Sequence, residues 1–187
     1  MLPLSQSLKA NYAENNGLNT AYHAWNKAYR EGTTKKTIFV YIDFTQPSTE
    51  KRFFVYDGIT HQLLYSTWVS HGIGSGRGTI PTTFSNTSGS KATSLGVQIT
   101  GEYYRGKHGI VLRMKGLERW NSNVYSRYIE IHGANYIGNG LTGTSWGCYA
   151  VPEQDINRIL KLVGPGVILV AYYPDSDWLQ HSEYIKG

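Results

Sequence analysis

Thr37-Ile-Phe-Val-Tyr-Ile-Asp43, Arg52-Phe-Phe-Val-Tyr-Asp57 and Leu63-Leu-Tyr-Ser-Thr-Trp-Val69 are short runs of β-branched and aromatic residues, separated by the turn signals Pro47-Ser48 and Asp57-Gly58. Such residues fit a pleated, half-buried surface, and the punctuation between them predicts a meander of strands. Further runs from Gly109 to Met114, Arg127 to His132 and Val167 to Tyr173 read the same way. Between Gly72 and Gly101 the chain is rich in Gly, Ser and Thr without a strong period, so it reads as a loop. A loop that long inside a compact domain is more often functional than idle.

Helical spacing flanks the strands. Leu18, Ala21, Tyr22, Trp25, Ala28 and Tyr29 share one face, with Asn19 or Thr20 near the start and Gly32 beyond the end. A weaker helix is expected around Leu4 to Tyr12, broken by Asn15-Asn16-Gly17. From Glu153 to Val163, Ile156, Ile159, Leu160 and Val163 share a face; Pro152 precedes them and Gly164-Pro165 ends them. The expectation is a mainly β (α+β) chain, mostly antiparallel, with a helical segment over residues 1–36 packed on a domain over 37–187.

At 187 residues the chain suits one core. Hydrophobic residues make up 40% and charged ones 17%, with 15 Tyr and 21 Gly, which argues against disorder and for strands and turns. A net charge of +5 favours an anionic partner. The basic doublets Lys35-Lys36 and Lys51-Arg52 are too short for a nucleic-acid or lipid patch, so no nucleic acid is expected, and a diffuse basic surface suits a carboxylate-rich polymer. With one cysteine and no His/Cys cluster at zinc spacing, neither a disulfide framework nor a metal or other cofactor is expected. Apolar stretches such as Val167 to Tyr173 are far shorter than a membrane span, so no integral membrane segment is expected. The first residues lack the form of a signal peptide, which leaves a cytosolic protein or one whose targeting segment lies outside this chain.

Cys148 lies in Ser145-Trp-Gly-Cys148, after the glycine-rich Gly138-Asn-Gly-Leu-Thr-Gly143 and before the helix expected from Glu153. On such a turn backbone amides are free, and a nearby helix start would lower the thiol's pKa. Gly147 would let a substrate carbonyl approach the amides of Gly147 and Cys148 as an oxyanion hole. A lone cysteine is otherwise a small buried hydrophobe. The glycine frame and His132 argue against that here. His132 closes Tyr128-Ile-Glu-Ile-His132 and precedes Gly133, so its imidazole is expected at a strand end facing the loop that returns to Cys148. The two would form a thiolate–imidazolium pair, although a histidine taken singly is usually structural or on the surface.

His132-Gly133, a glycine-rich spacer and Ser145-Trp-Gly-Cys148 resemble the L,D-transpeptidase signature of a His, a spacer and Ser/Thr-His-Gly-Cys. Val69-Ser-His-Gly-Ile-Gly-Ser-Gly76, Phe84-Ser-Asn86, Ser94-Leu-Gly96, the stretch from Thr100 to Gly109, Gly116-Leu-Glu118 and Ile131-His-Gly-Ala134 look, in that order, like the murein L,D-transpeptidase catalytic-domain branch. The resemblance runs from about Thr37 to Tyr173. It implies a single catalytic domain, a mixed, mostly antiparallel β-sandwich with an N-terminal helix and a helix after the cysteine. It also implies Cys148 as nucleophile, His132 as base, and a backbone carbonyl near Gly133 orienting the imidazole. The implied substrate is a peptidoglycan stem tetrapeptide that loses its terminal D-alanine to a thioester, with carbapenem-type β-lactams as inhibitors. The implied location is the periplasm or cell envelope, after secretion. Two positions depart from the pattern. Trp146 stands where the signature has His, which leaves the oxyanion to backbone amides around Trp146 and Gly147, and Tyr149 stands where close relatives tend to have proline.

Other candidates carry two readings each. Ser145 would hold the His132 side of the site through its hydroxyl, or simply form the turn. His71 would line the cleft, and Arg77 or Arg113 would bind a stem-peptide carboxylate bidentately, unless they are ordinary surface residues. Tyr103, Tyr104 and His108 would form a cleft wall, or pack at its rim. The leading function is an L,D-transpeptidase. The alternatives are an L,D-carboxypeptidase or D-amino-acid exchange enzyme using the same thioester, and a wall-binding module without chemistry. A papain-like protease would need its His and Asn after the cysteine, and here the His comes before it.

Overall fold

The computed structural model describes residues 16–186. In chain order they form α1 (Asn16–Arg30), β1 (Ile38–Asp43), β2 (Phe53–Asp57), β3 (Leu63–Thr67), a 3-10 turn (Ile73–Ser75), β4 (Gly96–Gly106), β5 (Gly109–Gly116), β6 (Glu130–Ala134), β7 (Ile137–Gly138), β8 (Leu141–Thr142), β9 (Tyr149–Pro152), α2 (Glu153–Leu162), β10 (Ile168–Tyr172) and α3 (Ser176–His181). The weak helix expected around Leu4 to Tyr12 lies outside the described residues.

Eight strands make one mixed sheet in the order β3-β2-β1-β10-β4-β5-β6-β9, and β7-β8 form a separate ribbon. Only β1 with β10 and β6 with β9 run parallel; every other neighbouring pair is antiparallel. The sheet curls on itself. Val40 and Ile42 of β1, Leu112 and Met114 of β5, Ile131 of β6 and Val151 of β9 meet in one core, joined by Ile156, Ile159 and Leu160 of α2. Two facing layers therefore arise from one continuous sheet. Phe39, Val40, Tyr41 and Ile42 are all buried because β1 is covered on both faces, which is why this run reads as continuously apolar rather than alternating.

Helix α1 covers the outer face. Leu18, Ala21, Ala24, Trp25 and Ala28 pack against Phe39, Tyr41, Val170 and Tyr172, and fully burying a side chain of this size contributes about 1.5–3 kcal/mol. Trp25 Nε1 also donates to the Lys36 carbonyl at 3.0 Å. Asn16 and Gly17 are the first two residues of the described helix, and the expected break before it reaches outside the described residues. A Cβ at Gly17 would fall 2.2 Å from the Tyr41 hydroxyl, so the glycine is there to bring the helix close to the sheet.

Strand β4 falls partly within the stretch expected to be a loop. Its apolar signal is little more than Val97 and Ile99, and its register with β5 shifts between Thr100 and Tyr103. The pairing with β10 and β5, not local propensity, makes it a strand. The strand expected from Arg127 begins only at Glu130, because Arg127 and Tyr128 close turns onto Asn123 and Tyr125. Helix α3 has no counterpart in the sequence reading. It is tied to the sheet by Glu118, whose carboxylate accepts from the Val97 N–H at 2.6 Å, from Trp178 Nε1 at 3.0 Å and from the Ser182 hydroxyl. No helix of the described residues is long and apolar enough to cross a membrane.

Candidate active site

Cys148 and His132 open into one cleft of about 480 Å³. Strands β6 and β9 run parallel with His132 opposite Ala150. Side chains alternate along β6, so Ile131 enters the core while Glu130 and His132 face the cleft. Cys148 immediately precedes β9 and faces the same cleft, diagonal to His132. The tip of the β4–β5 hairpin contributes Lys107 and His108, and Tyr104, Tyr128, Tyr136 and Trp146 also line the cleft. His132 sits mid-strand rather than at a strand end.

The turn that carries Cys148 is fixed by Ser145. Its hydroxyl accepts from the Gly147 N–H at 3.1 Å and donates to the Cys148 carbonyl at 2.7 Å. Ser145 thus shapes the cysteine turn, not the His132 side. Gly147 has φ +112, and a Cβ there would fall 2.7 Å from the Ala92 carbonyl oxygen, so only glycine fits. Behind it, the Ser145 N–H donates to the His71 carbonyl at 2.9 Å and the Ile73 N–H to the Ser145 carbonyl at 2.8 Å. The Gly147 amide is engaged by Ser145, which removes it from the expected oxyanion hole and leaves the Cys148 N–H of the expected pair. The Trp146 side chain is exposed, with Lys91 Nζ 4.3 Å from its ring centre.

His132 Nδ1 lies 3.0 Å from the Gly133 carbonyl oxygen. A carbonyl can only accept, so Nδ1 carries the proton and Nε2 keeps its lone pair. The His108 ring stacks on that of His132, with centroids 4.2 Å apart. Burial, together with the charges of His108 and Lys107, lowers the His132 pKa to about 4, although the Gly133 carbonyl pulls the other way.

The thiol is half-buried and donates to the Tyr128 carbonyl at 3.5 Å. Burial pushes its pKa up to about 11; the Glu130 carboxylate adds to this, while the Glu130 N–H, Arg127 and Lys107 oppose it. Burial therefore favours the neutral thiol and the neutral imidazole in the free cleft, the opposite direction to the lowered thiol pKa expected from a nearby helix start. The physical reason is that β9 stands between Cys148 and the start of α2, so the helix end does not reach the sulfur.

Several expected site residues lie elsewhere. His71 is buried behind the turn, with Nδ1 2.9 Å from Arg52 Nη2 and Nε2 3.2 Å from the Gly76 carbonyl oxygen. Arg52 can only donate, so His71 is also a fixed neutral tautomer. Burial and the Arg52 charge lower its pKa to about 4. Arg52 itself is fully buried, donating to the carbonyls of Val69, Gln46 and Thr79. Arg77 is exposed and does not line the cleft. Arg113 is buried, donates to the Tyr125 carbonyl at 2.7 Å and lies against the rings of Tyr125 and Tyr128. It is unavailable as a bidentate carboxylate clamp. Tyr103 turns away and donates to the Leu160 carbonyl at 2.8 Å, anchoring the hairpin on α2. Tyr149 is buried in the core, its hydroxyl accepting from Gln98 Nε2 at 2.6 Å.

Cleft residues that escaped the sequence reading include Lys107, Arg127, Tyr128, Glu130 and Tyr136. Arg127 donates to the carbonyls of Ser85 and Ala92 and so holds the 85–94 segment beside the cysteine turn. Tyr128 has φ +56, a conformation that costs a bulky residue on the order of 1–3 kcal/mol. That backbone aims its carbonyl at the thiol. Period-two alternation from His132 would have placed Glu130 on the cleft face; nothing local marks the others.

Solved structures similar to this chain include an L,D-transpeptidase from Xylanimonas cellulosilytica (16% identity, TM-score 0.47, covering 73% of this chain and 61% of that one). L,D-transpeptidase 3 from Mycobacterium tuberculosis is similar too (13% identity, TM-score 0.47, covering 73% and 61%). A third is an L,D-transpeptidase in complex with imipenem (13% identity, TM-score 0.46, covering 72% and 58%). The chain spans about three fifths of the length of these solved chains. No curated protein sequence matches it. The family model of the L,D-transpeptidase catalytic domain matches residues 9–172, which takes in the cleft, the cysteine turn and all ten strands. The chain belongs to the L,D-transpeptidase catalytic domain family.

Proposed function

We propose that this domain cross-links or remodels peptidoglycan as an L,D-transpeptidase, with Cys148 as nucleophile and His132 as base. The observation that carries the reading is the fixed tautomer of His132. With Nδ1–H held by the Gly133 carbonyl, the Nε2 lone pair is left for a thiol proton in the cleft that Cys148 lines. In the donor half-reaction Nε2 takes that proton as Sγ attacks the carbonyl at the L-centre of diaminopimelate in a stem tetrapeptide. The Cys148 N–H meets the developing oxyanion. The bond to the terminal D-alanine breaks, its amine leaves with the proton from His132, and a thioester remains.

An amine of a neighbouring stem then attacks the thioester, and the released thiolate recovers a proton. Because burial favours the neutral thiol and the neutral imidazole, His132 acts as a general base during attack rather than as a standing partner of a thiolate. Lys107 suits a donor peptide that carries carboxylates, and the charge of Arg127, whose hydrogen bonds hold the 85–94 segment, adds to the positive potential there. Such a substrate places the protein in the cell envelope. The strained carbonyl of a carbapenem would enter the same pocket and acylate Cys148, adding one drug mass to the intact protein.

The test is purified peptidoglycan incubated with the wild type and with Cys148→Ala, followed by mass spectrometry of the muropeptides. The wild type is expected to release D-alanine and form cross-links from the L-centre, and the variant to do neither while melting at a similar temperature. Acid products alone would make the enzyme an L,D-carboxypeptidase, and D-amino-acid-exchanged stems an exchange enzyme. Full activity in Cys148→Ala would sink the reading.

A further inference from the structure

Glu130 is the only acid among the described residues that line the cleft, where Lys107 and Arg127 supply positive charge. It lies two residues before His132 on the same face of β6, near enough to Cys148 that its N–H and its carboxylate both act on the thiol. The residue is only 9% exposed, yet its carboxylate accepts no hydrogen bond from the described residues. Arg113 stands opposite on β5, but its Nε is 3.9 Å from Oε1, too far for a hydrogen bond. That Nε has no hydrogen-bond partner of its own either, because the guanidinium is drawn to the Tyr125 carbonyl and the tyrosine rings. The carboxylate oxygens stay open to the cleft, so a donor entering there can bond them. Arg113 is thus a loose ion-pair partner that makes no hydrogen bond, and a cation entering the cleft can bind the carboxylate more closely.

We propose that Glu130 recognises the acceptor: its carboxylate docks the ammonium group of the incoming stem peptide beside the Cys148 thioester and removes one proton from it. This rests on the reading of Cys148 as the acyl carrier. The ammonium gives its proton to Glu130, and the freed amine nitrogen attacks the thioester carbon. The C–N bond forms, and the second proton passes from that nitrogen to His132 Nε2. The C–S bond breaks, the thiolate takes the proton back from His132, and Glu130 releases its own to water. Burial pushes the Glu130 carboxyl up against the pull of Arg113 and Lys107, which suits a group that must accept a proton. Water carries no charge for Glu130 to hold, so the residue favours amide formation over hydrolysis.

The experiment acylates the full chain with a donor tetrapeptide and reads the ratio of amide to acid product by mass spectrometry. Two acceptors are compared: a diaminopimelate-containing tetrapeptide, whose amine is an ammonium ion, and hydroxylamine, which is uncharged at neutral pH. In Glu130→Gln the ratio with the peptide amine is expected to fall on the order of 10- to 100-fold. The ratio with hydroxylamine should move by less than about 3-fold, and Glu130→Asp should recover part of the loss. The ratio is read only on acylated molecules, so a destabilised variant does not blur it. An unchanged ratio with the peptide amine, or an equal fall for both acceptors, would overturn the role of Glu130. A wild type that forms no acyl-enzyme would instead overturn the assignment of Cys148, and this inference with it.

Discussion

The ring of His108 lies flat on that of His132, their centroids 4.2 Å apart and their planes 18° from parallel. The stacking couples the tip of the β4–β5 hairpin to the imidazole. It helps keep water from His132 and sets a second potential cation beside it, and both effects hold the ring neutral well below its ordinary range.

The acid limb of the donor half-reaction should therefore fall near pH 4 rather than near the ordinary histidine value of about 6.5. His108→Ala should move it upward, because it removes a neighbouring charge and some of the burial. The profile of kcat/KM against pH for both proteins checks this. A wild-type limb near 6.5 would contradict the buried, neutral His132 described here.

Stability should carry the same signature, with His71 contributing as well. Both rings have a folded pKa of about 4, against an unfolded value of about 6.5. In that window the unfolded chain binds more protons. Stability is therefore full above the unfolded value and is lost as pH falls through the folded one, by roughly 3 kcal/mol per ring. Urea midpoints at several pH values measure it. His71→Gln keeps one donor and one acceptor for Gly76 and Arg52, so it should flatten the slope by about one proton. An unaltered slope would locate the effect elsewhere.

Cys148 in the free enzyme should alkylate slowly at neutral pH, with a rate that climbs toward pH 11. His132→Ala should leave this profile nearly unchanged, since the thiol hydrogen bond goes to Tyr128. Turnover should nonetheless fall on the order of 10²- to 10⁴-fold for the lost acid-base step. Iodoacetamide rates against pH, set beside kcat, separate the two. Fast alkylation at pH 7 would show that the thiolate is already present.

Ser145→Ala removes both hydrogen bonds that define the cysteine turn. It should cost about 1–3 kcal/mol and lower turnover about 10- to 100-fold through misplacement of the sulfur. Gly147→Ala should be worse, because positive φ and the Ala92 carbonyl both reject a side chain. Melting temperature and kcat, measured together, test the order. A Ser145→Ala variant with wild-type kcat would mean that the turn holds its shape without the hydroxyl.

The sequence by itself determined the elements whose signal is local and dense. The apolar faces of α1 and α2 and the β-branched runs of β1, β2 and β10 are legible because burial on a fixed period leaves a pattern in neighbouring residues. The same holds for the shared cleft of Cys148 and His132 and for their glycine frame, where residue type alone marks a candidate site and a tight turn. Tertiary structure decided what depends on pairing. The register of β6 with β9 and β5 sets Glu130 beside Cys148 and opposite Arg113, and hairpin pairing turns the weak β4 run into a central strand carrying His108 over His132. The charge state of the thiol and imidazole was decided there too. The solvation that governs it is a property of every element packed around the cleft, and no stretch of neighbouring residues encodes it.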